Sequence, residues 1–204
     1  MEEKKIVLVI LDGWGHGDKK DSDAIHHANT PFIDSLYTKY PNSELLTNGE
    51  NVGLPKGQMG NSEVGHLNIG AGRVVYQNLT KIDKDIQENK LSANNMLKEA
   101  TNKAITKNRP IHLMGLVSNG GIHSHIRHLK EICNILDNTK VNQVFIHAFT
   151  DGRDTDPKSA IKEIKNFNKF IENKKISIAT TIGRYYSMDR DNRLERTAKA
   201  YNAL

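Results

Sequence analysis

Apolar residues along this chain gather into short runs separated by polar segments, and the runs have the length of strands. Lys5 to Leu11, Ile111 to Val117, Val144 to Phe149 and Ile176 to Ile182 are apolar-rich stretches of six or seven residues. Such runs read as buried parallel strands, and Asp12-Gly13 breaks the first of them. Between the later runs the apolar period lengthens to three and four. Ile126, Leu129, Cys133 and Leu136 mark one buried helix face, and Pro157 opens a second helix with Ile161, Ile164, Phe167 and Ile171. Two strand-loop-helix units followed by a further strand predict parallel pairing with right-handed crossovers. In such sheets ligands collect at the carboxyl ends of the strands. Asp12, His123, the segment 151 to 156 and Arg184 all fall in loops of that kind.

The remaining segments are less regular. Asn29-Thr30-Pro31 supplies a cap and a proline just inside a helix that carries Phe32, Ile33, Leu36 and Tyr37. Glu44 to Thr47 reads as a short strand ahead of the turn-rich stretch Asn48 to Gly60. From Tyr76 to Asn108 the pattern is polar and helical, with an interruption near Ser92. Glycine-rich turns give way to this polar stretch after Gly72, which places a domain boundary near Tyr76 and divides the chain into 1–76 and 77–204.

Composition narrows the class of protein. A chain of 204 residues can bury one substantial core or two small ones. Its longest apolar stretch, Ile6 to Leu11, is far too short to span a bilayer, and no secretory leader pattern is visible. A soluble cytoplasmic protein with no membrane partner is therefore expected. Cys133, the only cysteine, sits at a core position of a helix and reads as a small packing residue. The net charge of +5 is spread over 29 basic and 24 acidic residues that alternate along the chain. That mixing, without a basic stripe or an aromatic stacking pattern, argues against nucleic acid and leaves a small anionic substrate as the sharper reading. Only eight of the basic residues are arginine, and four of those lie between Arg184 and Arg196. Clustered guanidiniums suit the bidentate recognition of carboxylate and phosphate.

The chemistry-bearing residues each carry a plain reading beside a functional one. Asp12, at a strand end, is either a turn residue or a ligand for a hard metal. Ser62 follows a glycine-rich turn and opens a helix. It is either an N-cap or a nucleophile placed where backbone donors favour an incoming phosphate. His66, one helical turn later, is open between structural and catalytic roles. In His123-Ser124-His125 with His128, the last two histidines read as helix-surface residues. His123, at the loop-helix junction, is the candidate for holding a phosphate or passing a proton. The segment 151 to 156 is either an exposed loop with internal ion pairs or a site in which Arg153 clamps an anion while Asp154 handles a hydroxyl proton. Arg184 and Arg190 follow a strand directly, whereas Arg193 and Arg196 read as pairs with Asp191 and Glu195.

Five segments, LDGWG, GNSEVGHLNIGAGRVVYQ, GLVSNGGIHSH, HAFTDGRDTDP and GRYYSMDRDNRLERTAKAYNAL, occur in this order. Together they resemble the 2,3-bisphosphoglycerate-independent phosphoglycerate mutases over essentially the whole chain. The resemblance implies an α/β fold: part of an alkaline-phosphatase-like domain, followed by part of an inserted α/β transferase domain with a mainly parallel sheet. It implies two manganese ions, with magnesium or another divalent metal as a substitute, and places Asp12 and Ser62 as ligands of one of them. Ser62 would take the phosphoryl group of 3-phosphoglycerate as phosphoserine and return it to the 2-hydroxyl to give 2-phosphoglycerate, in glycolysis and gluconeogenesis. His123, Arg153, Asp154, Arg184 and Arg190 would bind the glycerate, with Asp154 moving protons. The complete family member would be a monomer. Members are much longer, and most of their metal ligands have no counterpart here. The chain is therefore expected to be an N-terminal piece that is inactive alone. The alternatives are a non-enzymatic phosphoglycerate-binding fragment and a metal-dependent phosphohydrolase of the same superfamily.

Overall fold

The computed structural model describes residues 5–19 and 21–204. They fall into two units that divide between Tyr76 and Gln77. In the first unit, α1 (Ala24–His27) is capped by the Asp23 carboxylate, which accepts from the His26 N–H at 3.1 Å. Helix α2 (Pro31–Lys39) begins on its proline, and the Thr30 hydroxyl donates to Asp34 Oδ1 at 3.1 Å. A 3-10 helix (Gly49–Val52) and α3 (Ser62–Ala71) then meet around buried Val52, Leu54 and Val64. Asn68 of α3 fastens this small core from both sides, donating to the Val52 carbonyl at 3.1 Å and accepting from the Val75 N–H at 2.8 Å.

Two expected strands are absent from this unit. Lys5 to Leu11 has no ladder partner among the described residues, and its side chains stand in solvent, from Ile6 at 92% exposed to Leu11 at 49%. Glu44 to Thr47 is likewise irregular. The reason is common to both: a strand satisfies its N–H and C=O groups only through a neighbour. An apolar run supplies side chains for a sheet, not the sheet itself.

The second unit has its partners. The polar stretch forms α4 (Asn78–Gln87), α5 (Lys90–Ala93) and α6 (Asn95–Thr106). The breaks fall at Asn89, which adopts a left-handed backbone with φ 56°, and at Asn94, whose side chain caps α6 by accepting from the Leu97 N–H. Then β1 (Ile111–Leu116), α7 (Ile126–Asp137), β2 (Val144–Thr150), α8 (Ala160–Ile171) and β3 (Ile176–Gly183) alternate, followed by α9 (Arg184–Ser187) and α10 (Leu194–Tyr201). Helix α8 starts three residues after Pro157, which lies in a turn ahead of it. All strands are parallel in the order β1-β2-β3, with Ile111, Val144 and Ile176 in register and an irregularity at Ile146/His147.

One face of the sheet is the core. Val144, Ile146, Ala148 and Ile176 pack against Ile126, Cys133 and Leu136 of α7 and Phe167 and Ile171 of α8, with Leu97 and Ile105 of α6 at the margin. Burial pushes the Cys133 thiol up to about 12, so at neutral pH it is an un-ionised packing group. The alternate positions are mixed: Leu116 is buried, Phe145 and Phe149 are half-buried, and His112 and Met114 are exposed. Met114 is 63% exposed, while His147 is buried between His112 (2.9 Å) and the Thr180 hydroxyl (2.9 Å). Burial and the neighbouring His112 lower the pKa of His147. Helix α4 is held to α7 by Asp83, which takes a two-pronged bond from Arg127 and a 2.6 Å contact from His128 Nε2. His128 is therefore an interhelical partner, and His125 the N-cap of α7 that accepts from the Arg127 N–H. Of the two helix-surface histidines expected, His128 is instead committed to a neighbouring helix.

At the carboxyl edge the loops after all three strands are tied to one carboxylate. Asp151 accepts from the Ser118 hydroxyl at 2.6 Å, from the N–H groups of Arg153 and Asp154 at 3.0 Å each, and from Arg184 Nη1 at 2.9 Å. Burial opposes its charge, yet these donors together hold it well below the usual carboxylate range. A depressed carboxyl pKa adds stability that is full above the unfolded value near 3.8 and fades as pH falls below it. Asp151→Asn should lower the unfolding free energy at pH 7 by roughly 2–3 kcal/mol, with the gap to wild type narrowing below pH ~4; urea melts across that range measure both. Phe167→Ala, at a site with no solvent exposure, should cost about 3–5 kcal/mol in the same assay.

Candidate functional site

The first unit brings two distant side chains together. Ser62 is the first residue of α3, and the N-cap is Asn61, whose side chain accepts from the Val64 N–H at 3.1 Å. The Ser62 hydroxyl is thus not spent on capping. It donates to Asp12 Oδ2 at 2.7 Å, across fifty residues of chain. Gly60 makes this placement possible, because a Cβ there would lie 1.7 Å from the Thr47 carbonyl oxygen. His66 Nδ1 lies 2.8 Å from the Ser62 carbonyl and 3.1 Å from its Oγ. A carbonyl only accepts, so Nδ1 carries the proton and cannot also take one from the hydroxyl. Asp12 is therefore the base in contact with Ser62, and the His66 ring is committed to the helix backbone.

The second unit builds a cavity of about 360 Å³ where β2 and β3 end, lined by Asp151, Gly152, Arg153, Gly183 to Tyr185, Met188 to Asp191 and Arg196. Arg184, which follows β3 without a break, is largely buried and bridges Asp151 (2.9 Å) and Asp154 (2.6 Å). Burial works against its charge, and the two carboxylates outweigh that and raise its pKa. His123 Nε2 stands 3.7 Å from Asp154 Oδ2, the same oxygen that Arg184 binds. Arg153 and Arg190 are exposed, line the cavity, and have no carboxylate partner among the described residues. The ion pairs of the 151 to 156 loop thus reach out to Arg184, while Arg153 projects free.

Sequence reading missed Ser118 and Asp151. Neither carries a distinctive motif signal of its own, and only the parallel register sets the β1 and β2 loops side by side. It also undervalued Arg196. Beyond Asp191 (2.7 Å), one of the two carboxylates expected to pair with Arg193 and Arg196, this residue binds Asp189 (3.1 Å) and stacks 3.9 Å from the ring centre of Tyr185. Arg193 does lie near Glu195, at 3.9 Å.

Asp12 and Ser62 offer the oxygen chemistry that a hard divalent ion takes, but not the number of ligands, since such ions take about six. No group of three or more His, Cys, Asp or Glu side chains among the described residues is arranged to hold a metal. The residues here do not fit a two-metal centre on their own. The described helices also include none long and apolar enough to cross a membrane.

Comparison with known proteins gives this geometry a context. Residues 82–204 match the family model described as the BPG-independent PGAM N-terminus. The 2,3-bisphosphoglycerate-independent phosphoglycerate mutase of Flavobacterium psychrophilum is 55% identical over 98% of this chain and 40% of its own length; that of Clostridium tetani is 50% identical over 100% and 40%. A crystal structure of Leishmania mexicana phosphoglycerate mutase at low cobalt concentration superposes with a TM-score of 0.66 and 30% identity, over 95% of this chain and 37% of that one. The chain spans about 40% of the length of the curated relatives it matches. On this agreement of sequence and fold, the chain belongs to the 2,3-bisphosphoglycerate-independent phosphoglycerate mutase family and corresponds to its N-terminal part.

Proposed function

We propose that this chain serves the interconversion of 3-phosphoglycerate and 2-phosphoglycerate, with Ser62 as nucleophile and the arginine-lined cavity as the glycerate site. The observation that carries the reading is the 2.7 Å bond from the Ser62 hydroxyl to Asp12 at the first turn of α3. As Ser62 Oγ attacks the phosphorus of 3-phosphoglycerate, Asp12 accepts its proton and the bond from phosphorus to O3 breaks. The product is phosphoserine at the N-terminus of α3, where the helix dipole favours negative charge. The departing O3 takes up a proton and the 2-hydroxyl later gives one up, with Asp154 proposed to pass it. After the glycerate turns over, the 2-oxygen attacks the phosphoserine, the bond from phosphorus to Ser62 Oγ breaks, and Asp12 returns its proton to that oxygen.

Arg153 and Arg190 supply the charge neutralisation, Arg184 orders the site through Asp151 and Asp154 and offers its remaining N–H groups to the ligand, and His123 is a further donor. Phosphoryl transfer depends mainly on such positioning and neutralisation. A phosphohydrolase reading gives no reason for the GGIHSH and DGRDTDP loops. Because two oxygens do not make a metal site, the 204-residue chain is proposed to bind phosphoglycerate without turning it over.

Calorimetry with 3-phosphoglycerate should show binding that weakens about 10- to 100-fold in Arg184→Ala. A mutase assay with manganese and without bisphosphoglycerate should show no turnover. Turnover that vanishes in Ser62→Ala would mean that these residues form a complete active site and would overturn the division of labour proposed here.

A further inference from the structure

Charge around the cavity is more finely balanced than its four arginines suggest. Asp151 and Asp154 are both taken up by Arg184, and Asp189 and Asp191 are both taken up by Arg196. Only Arg153 and Arg190 remain to offer net positive charge to a ligand. Arg190 sits between the two acidic residues, so in sequence its nearest potential partners are the carboxylates on either side of it. They turn to Arg196 instead. Arg196 Nη1 takes Asp189 Oδ1 at 3.1 Å and Asp191 Oδ2 at 2.7 Å, and the second Asp189 oxygen accepts the Arg193 N–H at 2.8 Å. The guanidinium that gathers them is itself fixed, 13% exposed and stacked 3.9 Å from the Tyr185 ring centre.

We propose that Arg196 is a positioning residue for anion binding: by drawing the Asp189 and Asp191 carboxylates onto its own guanidinium, it leaves Arg190 free to meet the phosphate or carboxylate of the ligand. It touches the ligand through Arg190, not directly. Without it the cavity carries four carboxylates against three guanidiniums, and the two newly unpaired ones flank the residue meant to hold an anion. At an effective dielectric constant near 20, one uncompensated charge within a few ångströms opposes an anion by an amount that reads as about tenfold or more in affinity. The proposal rests on the reading of the cavity as a phosphoglycerate site, and the test separates the two.

Four forms of the chain are compared: wild type, Arg196→Met, the triple variant Arg196→Met with Asp189→Asn and Asp191→Asn, and the double variant Asp189→Asn with Asp191→Asn. Methionine keeps an unbranched stem on Tyr185, and asparagine keeps an acceptor for the Arg193 N–H. One readout is the Kd for 3-phosphoglycerate. The other, independent of any substrate assignment, is the rate at which phenylglyoxal modifies Arg190, followed by peptide mass. Arg196→Met is expected to weaken binding about tenfold and slow Arg190 modification, and the triple variant to restore both to within about twofold of wild type. The double variant, which keeps Arg196 and so tests the idea even if Arg196→Met fails to fold, is expected to bind 3-phosphoglycerate several-fold more tightly. A triple variant as weak as Arg196→Met would make Arg196 a purely structural residue and overturn the proposal, as would a double variant whose 3-phosphoglycerate binding is unchanged. Should wild type bind no 3-phosphoglycerate, the substrate reading falls and Arg190 modification alone decides the role of Arg196.

Discussion

The Asp151 carboxylate is 2% exposed and holds four donors that come from the ends of all three strands. Loops at the edge of a parallel sheet are brought close by the strands but not fixed by them, and a buried ionised acceptor supplies the missing constraint. The donors are of different kinds: a hydroxyl from the β1 loop, two backbone N–H groups from its own loop, and a guanidinium from the start of α9. Each alone would leave a buried charge under-solvated, whereas together they outweigh desolvation. Arg184 consequently enters the cavity in one orientation, with its other contact, Asp154, facing His123.

The same cavity holds free positive charge within a nearly neutral set of side chains. Two arginines serve as counter-ions for pairs of aspartates, and two project free. Buried counter-ions hold their geometry, so the free arginines are aimed from fixed backbone.

The two units respond differently to similar sequence patterns. In the second, apolar runs at three places find one another and one face is closed by α6, α7 and α8. In the first, Ile6 to Leu11 has the more continuous apolar run, yet it lies exposed for want of a neighbour. Even so, the run's end delivers Asp12 to Ser62, because that contact depends on the Asn61 cap, the Gly60 close approach and the Asn68 ties, all of which are local to α3.

What the sequence by itself determined is what depends on neighbours a few positions away. The helical periods of α7 and α8, the cap and proline at α2, the strand-loop-helix order and the polar stretch after Tyr76 were all legible, and so were the loops that bear Asp12, His123, Asp154 and Arg184. Motif resemblance added the family, because five ordered segments carry far more information than any single residue type. Tertiary structure alone decided who pairs with whom. That Asp151 rather than Arg153 organises its loop, that Arg196 gathers both Asp189 and Asp191, that His128 meets Asp83 forty-five residues away, and that Ile6 to Leu11 forms no strand are facts about distant partners. Hydrogen bonds and ion pairs act over a few ångströms in space, so a one-dimensional pattern reveals a group's chemistry without revealing what it will touch.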